Sequence, residues 1–258
     1  MTGSAARPEL ADADRIAREA GALLLSYRER VLTVDTKMSS SDPVSEADRD
    51  SEAHIVRAIA ALYPGDSIVG EEGASIVGST GRRWIIDPLD GTVNYLYGRS
   101  EWAVSIALWE DDRPLVGIVY QPAKDLMYTA SAGEGARRNG ELIHVNDPKD
   151  LSVCLVVTGF SYEAQLRKEQ ASELALLLPS IRDIRRGGSS ALDMCSVADG
   201  QADLYLERYV RSWDIAAGHV IVLEAGGTVN MLSSEKAYVG VLAGAAGPVS
   251  AVEQVLNA

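Results

Sequence analysis

Trp84-Ile85-Ile86-Asp87-Pro88-Leu89-Asp90-Gly91-Thr92 is the stretch whose reading organises the rest of the chain. Three apolar residues form a short buried strand, and two acids, a proline and a glycine follow at once. Pro88 fixes one φ and stiffens the turn, so the carboxylates of Asp87 and Asp90 and the Leu89 carbonyl between them can face one point, as a metal cradle would. Gly91 lets the backbone approach a ligand closely, and the N–H groups opening a helix at Val93 to Leu96 would point at an anion held there. On its own, Asp-Pro-x-Asp-Gly is usually no more than a turn. Its weight comes from its company.

Other acids stand at similar places. Ser67-Ile68-Val69 reads as a buried strand that delivers Gly70-Glu71-Glu72-Gly73. Asp48 falls in the first turn of a helix from Ser45 to Leu62, with Ser45 as its cap, and Asp214 opens another from Trp213 to Glu224. Taken singly, Glu71-Glu72 is a solvated pair, and Asp48 and Asp214 are acids favoured by a helix dipole. Taken together, Asp48, Glu71, Glu72, Asp87, Asp90 and Asp214 would repel one another if they converged without a cation. Oxygen-only ligands select a hard ion, Mg²⁺ before any other, with Mn²⁺ as substitute. Thr92 adds a hydroxyl able to orient a metal-bound water whose pKa the ion lowers.

Around these motifs the chain begins with an amphipathic helix from Pro8 to Arg30, with Leu10, Ile16, Ala20, Leu23, Leu24 and Tyr27 on one stripe. A hairpin of Ala103–Trp109 and Pro114–Tyr120, extended by Leu126–Ala130, makes the first half α+β. The polar run Val145–Asp150 marks a boundary between an N-terminal α+β unit, 1–145, and a C-terminal unit, 146–258. In the latter, strands at Val153–Thr158, Ile184, Ala202–Glu207 and Tyr238–Leu242 alternate with helices at Tyr162–Leu178, Ser190–Ala198, Trp213–Glu224 and the C-terminus. That alternation is an α/β pattern.

Composition narrows the function classes. With 258 residues, 47% hydrophobic and 24% charged, the chain is long enough for a large buried core. Its longest apolar runs fall far short of the roughly 20 residues that cross a bilayer, and Met1 to Arg15 lacks the parts of a secretory signal, so the expected location is cytoplasmic with no membrane partner. A formal charge of −13 opposes binding to nucleic acid. Cys154 and Cys195 have no metal-ligand spacing, nor do His54, His144 and His219. No Gly-x-Ser-x-Gly elbow or P-loop is present.

Gly70-Glu71-Glu72, Trp84 through Tyr95, and Ser212-Trp213-Asp214-Ile215-Ala216-Ala217-Gly218 resemble the signature segments of the inositol monophosphatase family, and Lys37 and Asp42–Asp48 resemble its N-terminal segment. The resemblance covers essentially the whole chain. It implies a layered αβαβα sandwich of the sugar phosphatase type, and a Mg²⁺-dependent phosphomonoesterase acting on inositol 1-phosphate. Glu71, Asp87 and the Leu89 carbonyl would hold one ion and Asp87, Asp90 and Asp214 a second, with a third, weaker ion leaning on Glu71. Asp48 and Thr92 would polarise the attacking water, Glu72 would support the cluster, and the Gly91 and Thr92 amides would hold phosphate. Asp90, Glu207 and the backbone around Ser189 and Ser190 would line the substrate's hydroxyls.

An acid at Glu207 suits a polyol better than a second phosphate, whereas Arg185 and Arg186 leave bisphosphates open. Fructose 1,6-bisphosphate, histidinol phosphate and 3′-phosphoadenosine nucleotides are substrates of relatives with nearly the same motifs. A role as a non-catalytic accessory factor binding transcription machinery is the reading from another class. The family resemblance also implies lithium sensitivity and a homodimer. Tyr95, where many relatives have phenylalanine, and the compact stretch Val229–Tyr238 depart from its pattern.

Overall fold

The computed structural model describes residues 7–28, 34–35, 44–232 and 238–257. Lys37, the polar run to Asp42, the Ser45 side chain and part of Val229–Tyr238 lie outside the described residues. Helix α1 (Pro8–Arg28) is followed by two paired short strands, β1 (Val34–Asp35) and β2 (Val44–Ser45), and by α2 (Glu46–Leu62). Then come β3 (Ser67–Gly70), β4 (Ser75–Ile76), β5 (Arg82–Asp90), the single-turn α3 (Thr92–Leu96), β6 (Ala103–Glu110), β7 (Arg113–Gln121), β8 (Leu126–Ser131), β9 (Ala136–Arg138) and β10 (Glu141–Leu142). The strands from β3 to β10 build an eight-stranded sheet in the order β10-β9-β8-β7-β6-β5-β3-β4, antiparallel except where β3 lies parallel to β5. Asp111, with φ of 51°, turns the β6–β7 hairpin, a conformation that aspartate tolerates.

The chain continues through β11 (Leu155–Thr158), α4 (Ala164–Leu177), β12 (Asp183–Arg185), α5 (Ser190–Ala198), β13 (Leu204–Val210), α6 (Ser212–Glu224), β14 (Thr228–Leu232), β15 (Val239–Gly244) and α7 (Ala246–Leu256). These strands form a five-stranded mixed sheet, β12-β11-β13-β15-β14, parallel across its first three members. Boundaries move by a few residues from the sequence reading. Val153 belongs to a short 3₁₀ turn, α4 begins at Ala164 rather than Tyr162, and the strand expected at Ala202–Glu207 runs from Leu204 to Val210. Strand β14, along the sheet edge, was not expected, because its half-buried residues alternate only weakly.

Alternation within the strands assigns the layers. In β5, Trp84 and Ile86 face α1 and α2, meeting Ile16, Leu24, Ile55 and Ile59, while Ile85 faces the opposite way. On that second face α5 and α6 are sandwiched, and beyond them lie Val157, Tyr205, Val241 and Ala243 of the smaller sheet. Val156, Leu204, Leu206 and Leu242 on its far face pack with Leu177, Val249 and Val252. The result is the expected αβαβα sandwich. The central layer explains why α6 reads Ile-Ala-Ala-Gly-His-Val-Ile-Val with no polar face: a helix between two sheets is covered all round.

Close approach in that layer depends on glycine. A Cβ at Gly117 of β7 would stand 2.5 Å from the Ala217 carbonyl oxygen and 2.9 Å from the Val220 Cβ, so the sheet meets α6 backbone to backbone. We expect Gly117→Val to destabilise the fold by about 1–3 kcal/mol, the range for overpacking a filled core. Urea unfolding measures this, and an unchanged midpoint would contradict the packing described.

Candidate active site

A cavity of about 760 Å³ opens where β3, β5, β11 and β13 end and where α2, α5 and α6 begin. Asp48, Glu71, Glu72, Asp87, Leu89, Asp90, Gly91, Thr92, Ser189, Ser190, Glu207 and Asp214 all line it. Segments as distant as α2 and α6 thus meet at one place.

The decisive stretch is not a turn after a strand. Strand β5 runs on through Asp90, and its register against β6 shifts between Asp87 and Asp90, a bulge at which Pro88 lacks no ladder hydrogen bond it was required to give. The Leu89 amide donates to Asp87 Oδ1 at 3.0 Å, and Ser51 Oγ of α2 donates to the Pro88 carbonyl at 3.1 Å. Gly91 then takes φ of 88°, where a Cβ would meet the Glu101 carbonyl oxygen at 2.8 Å, so glycine alone fits. Thr92 Oγ1 donates to the Leu89 carbonyl at 3.0 Å and lies 3.5 Å from Asp48 Oδ2.

Two more of the acids are tied to the protein through one oxygen. Asp90 Oδ2 accepts from Ser189 Oγ at 2.5 Å and from the Ala191 amide at 2.8 Å, which ties β5 to the start of α5. Ser189 is buried and also caps α5 through the Leu192 amide, so its hydroxyl serves Asp90 rather than the open cavity. Asp214 Oδ2 accepts from the Arg211 amide at 2.7 Å and closes the first turn of α6. The cap and the cavity-lining acid are therefore the same residue. Glu207 accepts from Tyr205 Oη at 2.9 Å and Ser190 Oγ at 3.3 Å, and its neighbour Arg208 pairs instead with Glu173. Arg185 turns away to Asp183, while Arg186 lines the cavity.

Three functional positions escape a reading of the sequence. Glu52, one helical turn after Asp48, accepts from the amides of Glu72 at 2.8 Å and Ala74 at 3.0 Å and so holds the loop carrying Glu71 and Glu72. Its i,i+4 spacing from Asp48 is the signal that reveals it. Asp193 lines the cavity with only 7% exposure, one turn beyond Ser189 and Ser190 on α5. Asn94 of α3 bridges the Glu101 and Gly187 carbonyls at 2.7 and 2.9 Å, joining the segment before β6 to the loop before α5.

The electrostatics follow from burial. Desolvation first, then the charges of Glu71, Glu72 and Glu52, pushes the Asp48 carboxyl well above its usual range. Desolvation, Glu71 and Asp90 do the same to Asp87 and to Asp214. Burial raises Asp90 to about 6 against the pull of its own hydrogen bonds, and Glu207 to about 7. Asp193 goes to about 8, through burial and then the charges of Glu207 and Asp90, with Arg186 opposing.

A hard divalent cation answers this arrangement in its chemistry: the donors are all oxygen, and a positive charge removes the repulsion that holds protons on them. Among the described residues no three such side chains already close on one point as a ready-made cage. Mg²⁺ does not require one, since it keeps several waters and takes one or two carboxylates together with phosphate oxygens. The donor set fits that ion.

A model of the inositol monophosphatase family matches residues 7–258. The chain is 38% identical over 255 residues to a protein of Pasteurella multocida named Nus factor SuhB, covering 97% of this chain and 95% of that one. It is 37% identical to the inositol-1-monophosphatase of Mycobacterium bovis, covering 92% and 88%. Among solved structures, that of the extragenic suppressor protein suhB from Bartonella henselae matches with a TM-score of 0.89 at 32% identity, over 97% of this chain and 98% of that one.

A carboxyl whose folded pKa exceeds its unfolded value holds its proton more tightly when folded, so its contribution to stability is full at low pH and is lost as pH climbs through the folded value. For Asp90, Glu207 and Asp193 that loss falls between the usual carboxylate range and the values of about 6, 7 and 8. In EDTA the thermal midpoint should fall as pH rises across that window, and added Mg²⁺ should raise it more at the alkaline end. A flat profile with no cation effect would refute the charge cluster.

Proposed function

The chain belongs to the inositol monophosphatase family, and from that premise we propose that it is a Mg²⁺-dependent phosphomonoesterase hydrolysing inositol 1-phosphate to inositol and phosphate. The observation that carries this reading is the convergence of Asp48, Glu71, Asp87, Asp90 and Asp214, from separate segments, on one cavity that also holds Glu207. Glu71, Asp87 and the Leu89 carbonyl would hold one ion, and Asp87, Asp90 and Asp214 a second, with Glu72 supporting them. When bound, the ions supply the positive charge that acidifies a coordinated water and neutralises phosphate oxygens.

The protein's own groups have the remaining tasks. Rotation of the Thr92 hydroxyl from the Leu89 carbonyl toward Asp48 frees that carbonyl and leaves Thr92 Oγ1 able to accept from the attacking water, whose proton passes toward Asp48. The water oxygen bonds to phosphorus as the ester P–O bond breaks, the departing alkoxide takes a proton from solvent water in the open cavity, and Asp48 returns the proton it received to solvent. The Gly91 and Thr92 amides would donate to phosphate, and Asp90, Ser190 and Glu207 would meet the hydroxyls of the polyol.

Asp87→Asn removes a carboxylate assigned to both ions, and we expect kcat to fall by at least about 10²–10³-fold, the range for losing one electrostatic stabiliser. Substantial residual turnover with Mg²⁺ would count against the assignment. Glu207→Gln weakens charge-assisted bonds to substrate, for an increase in KM of roughly tenfold. A phosphate-release panel of inositol 1-phosphate, fructose 1,6-bisphosphate, histidinol phosphate and adenosine 3′,5′-bisphosphate tests the substrate. Lithium sensitivity and a homodimer belong to the same proposal. The relative named Nus factor supports a second reading, an accessory factor of the transcription machinery; retention of a transcription partner by the Asp87→Asn variant would favour it.

A further inference from the structure

The cavity is larger than a six-carbon polyol phosphate needs. At about 760 Å³ it lies in the upper part of the range of roughly 300–1,000 Å³ for small-molecule sites, and the groups assigned above are only part of its lining. Less buried than Asp48, Asp87 and Asp90, the outer lining holds Phe160 and Tyr162 from the loop after β11, Tyr209 at the end of β13, Arg211, and Tyr238 just before β15.

This outer wall is built. The Arg211 guanidinium carbon stands 4.1 Å from the centroid of the Tyr238 ring. Tyr209 meets Tyr238 edge to face, with centroids 6.2 Å apart. Each phenol is anchored at its far end, Tyr238 Oη donating to Glu163 at 3.1 Å and Tyr209 Oη to Glu169 at 2.6 Å. Tyr209 is also held at φ of 64°, beside the register shift between Glu207 and Val210. The other described non-glycine residues with positive φ are Asp111, Asp125 and Asn139, types that tolerate it. A bulky ring persists in that conformation only where the surroundings over-determine it, and such strain concentrates at ligand sites.

We infer that this outer chamber is a subsite for a planar aromatic group on the leaving alcohol, so that the substrates extend to phosphate monoesters bearing a ring a few bonds from the ester oxygen. The inference rests on the phosphomonoesterase reading above. Ring faces and edges offer offset and edge-to-face contacts, and an arginine stacked on a tyrosine extends the planar surface. A second phosphate fits less well, because Glu163 also lines the chamber and a carboxylate repels it.

The test compares kcat/KM, with Mg²⁺, for ethyl phosphate and 2-phenylethyl phosphate, which share a primary alkoxide leaving group and differ in the ring. The wild type should prefer the phenyl ester by roughly tenfold or more, expressed in KM. Tyr238→Ala and Tyr209→Asn, the latter keeping a residue suited to positive φ, should each reduce that preference to below about threefold. A wild-type ratio near one, or a preference unchanged in both variants, overturns the subsite while leaving hydrolysis of inositol 1-phosphate standing. Hydrolysis of inositol 1-phosphate with neither alkyl ester turned over also overturns it. Absence of turnover with all three esters overturns the phosphomonoesterase reading and the subsite together.

Discussion

Carboxylates crowded into a poorly solvated cavity repel one another, and the surrounding structure is arranged to hold them there regardless. Asp48, Asp87, Asp90 and Asp214 would each gain by moving into water, as their tightened hold on protons shows. The backbone prevents it. Asp87 is locked by the bulge it helps to form, Asp90 by the start of α5, and Asp214 by the first turn of α6. Glu52, which faces no ligand in the reading above, pins the loop that brings Glu71 and Glu72 into range. Strain of this kind is tolerated where a cation is to be bound, because the repulsion that destabilises the bare site becomes attraction once a positive charge sits among the acids.

The layered architecture supplies the rigidity that this demands. Helix α6 is enclosed between two sheets, with Gly117 admitting it on one side and Gly218 close to Met194 of α5 on the other. An acid at the head of such a helix cannot drift, since the helix has no free face along which to slide. Buried Asn94 performs a comparable service, clamping α3 and the segment that leads into β6 to the loop that precedes α5. Elements from both sheets thus share one set of fixed points, and the cavity lies among them.

The lining of that cavity mixes acids with aromatic rings. Its buried acids include Asp90, Asp193 and Glu207, and the charge of Arg186 eases the hold of all three on their protons. Tyr162, Tyr209 and Tyr238 line the same cavity, and Glu207 and Tyr209 come to it from two residues apart on β13.

Much of this was legible in the linear chain. The short apolar runs, their acidic termini and the proline and glycine of Asp87–Thr92 determined an α+β first half, an alternating α/β second half and the set of acids that line the cavity, because strand alternation and turn chemistry are local properties, while the αβαβα layering came from the family resemblance. Tertiary structure alone decided that Asp87–Asp90 is a bulge within a strand, that Ser189 serves Asp90, and that Glu52, Asn94 and Asp193 belong to the site. It also decided that Phe160, Tyr162, Tyr209 and Tyr238 share one wall. Those facts depend on which groups meet across long separations in the chain, and no local propensity encodes a partner that arrives from another layer of the fold.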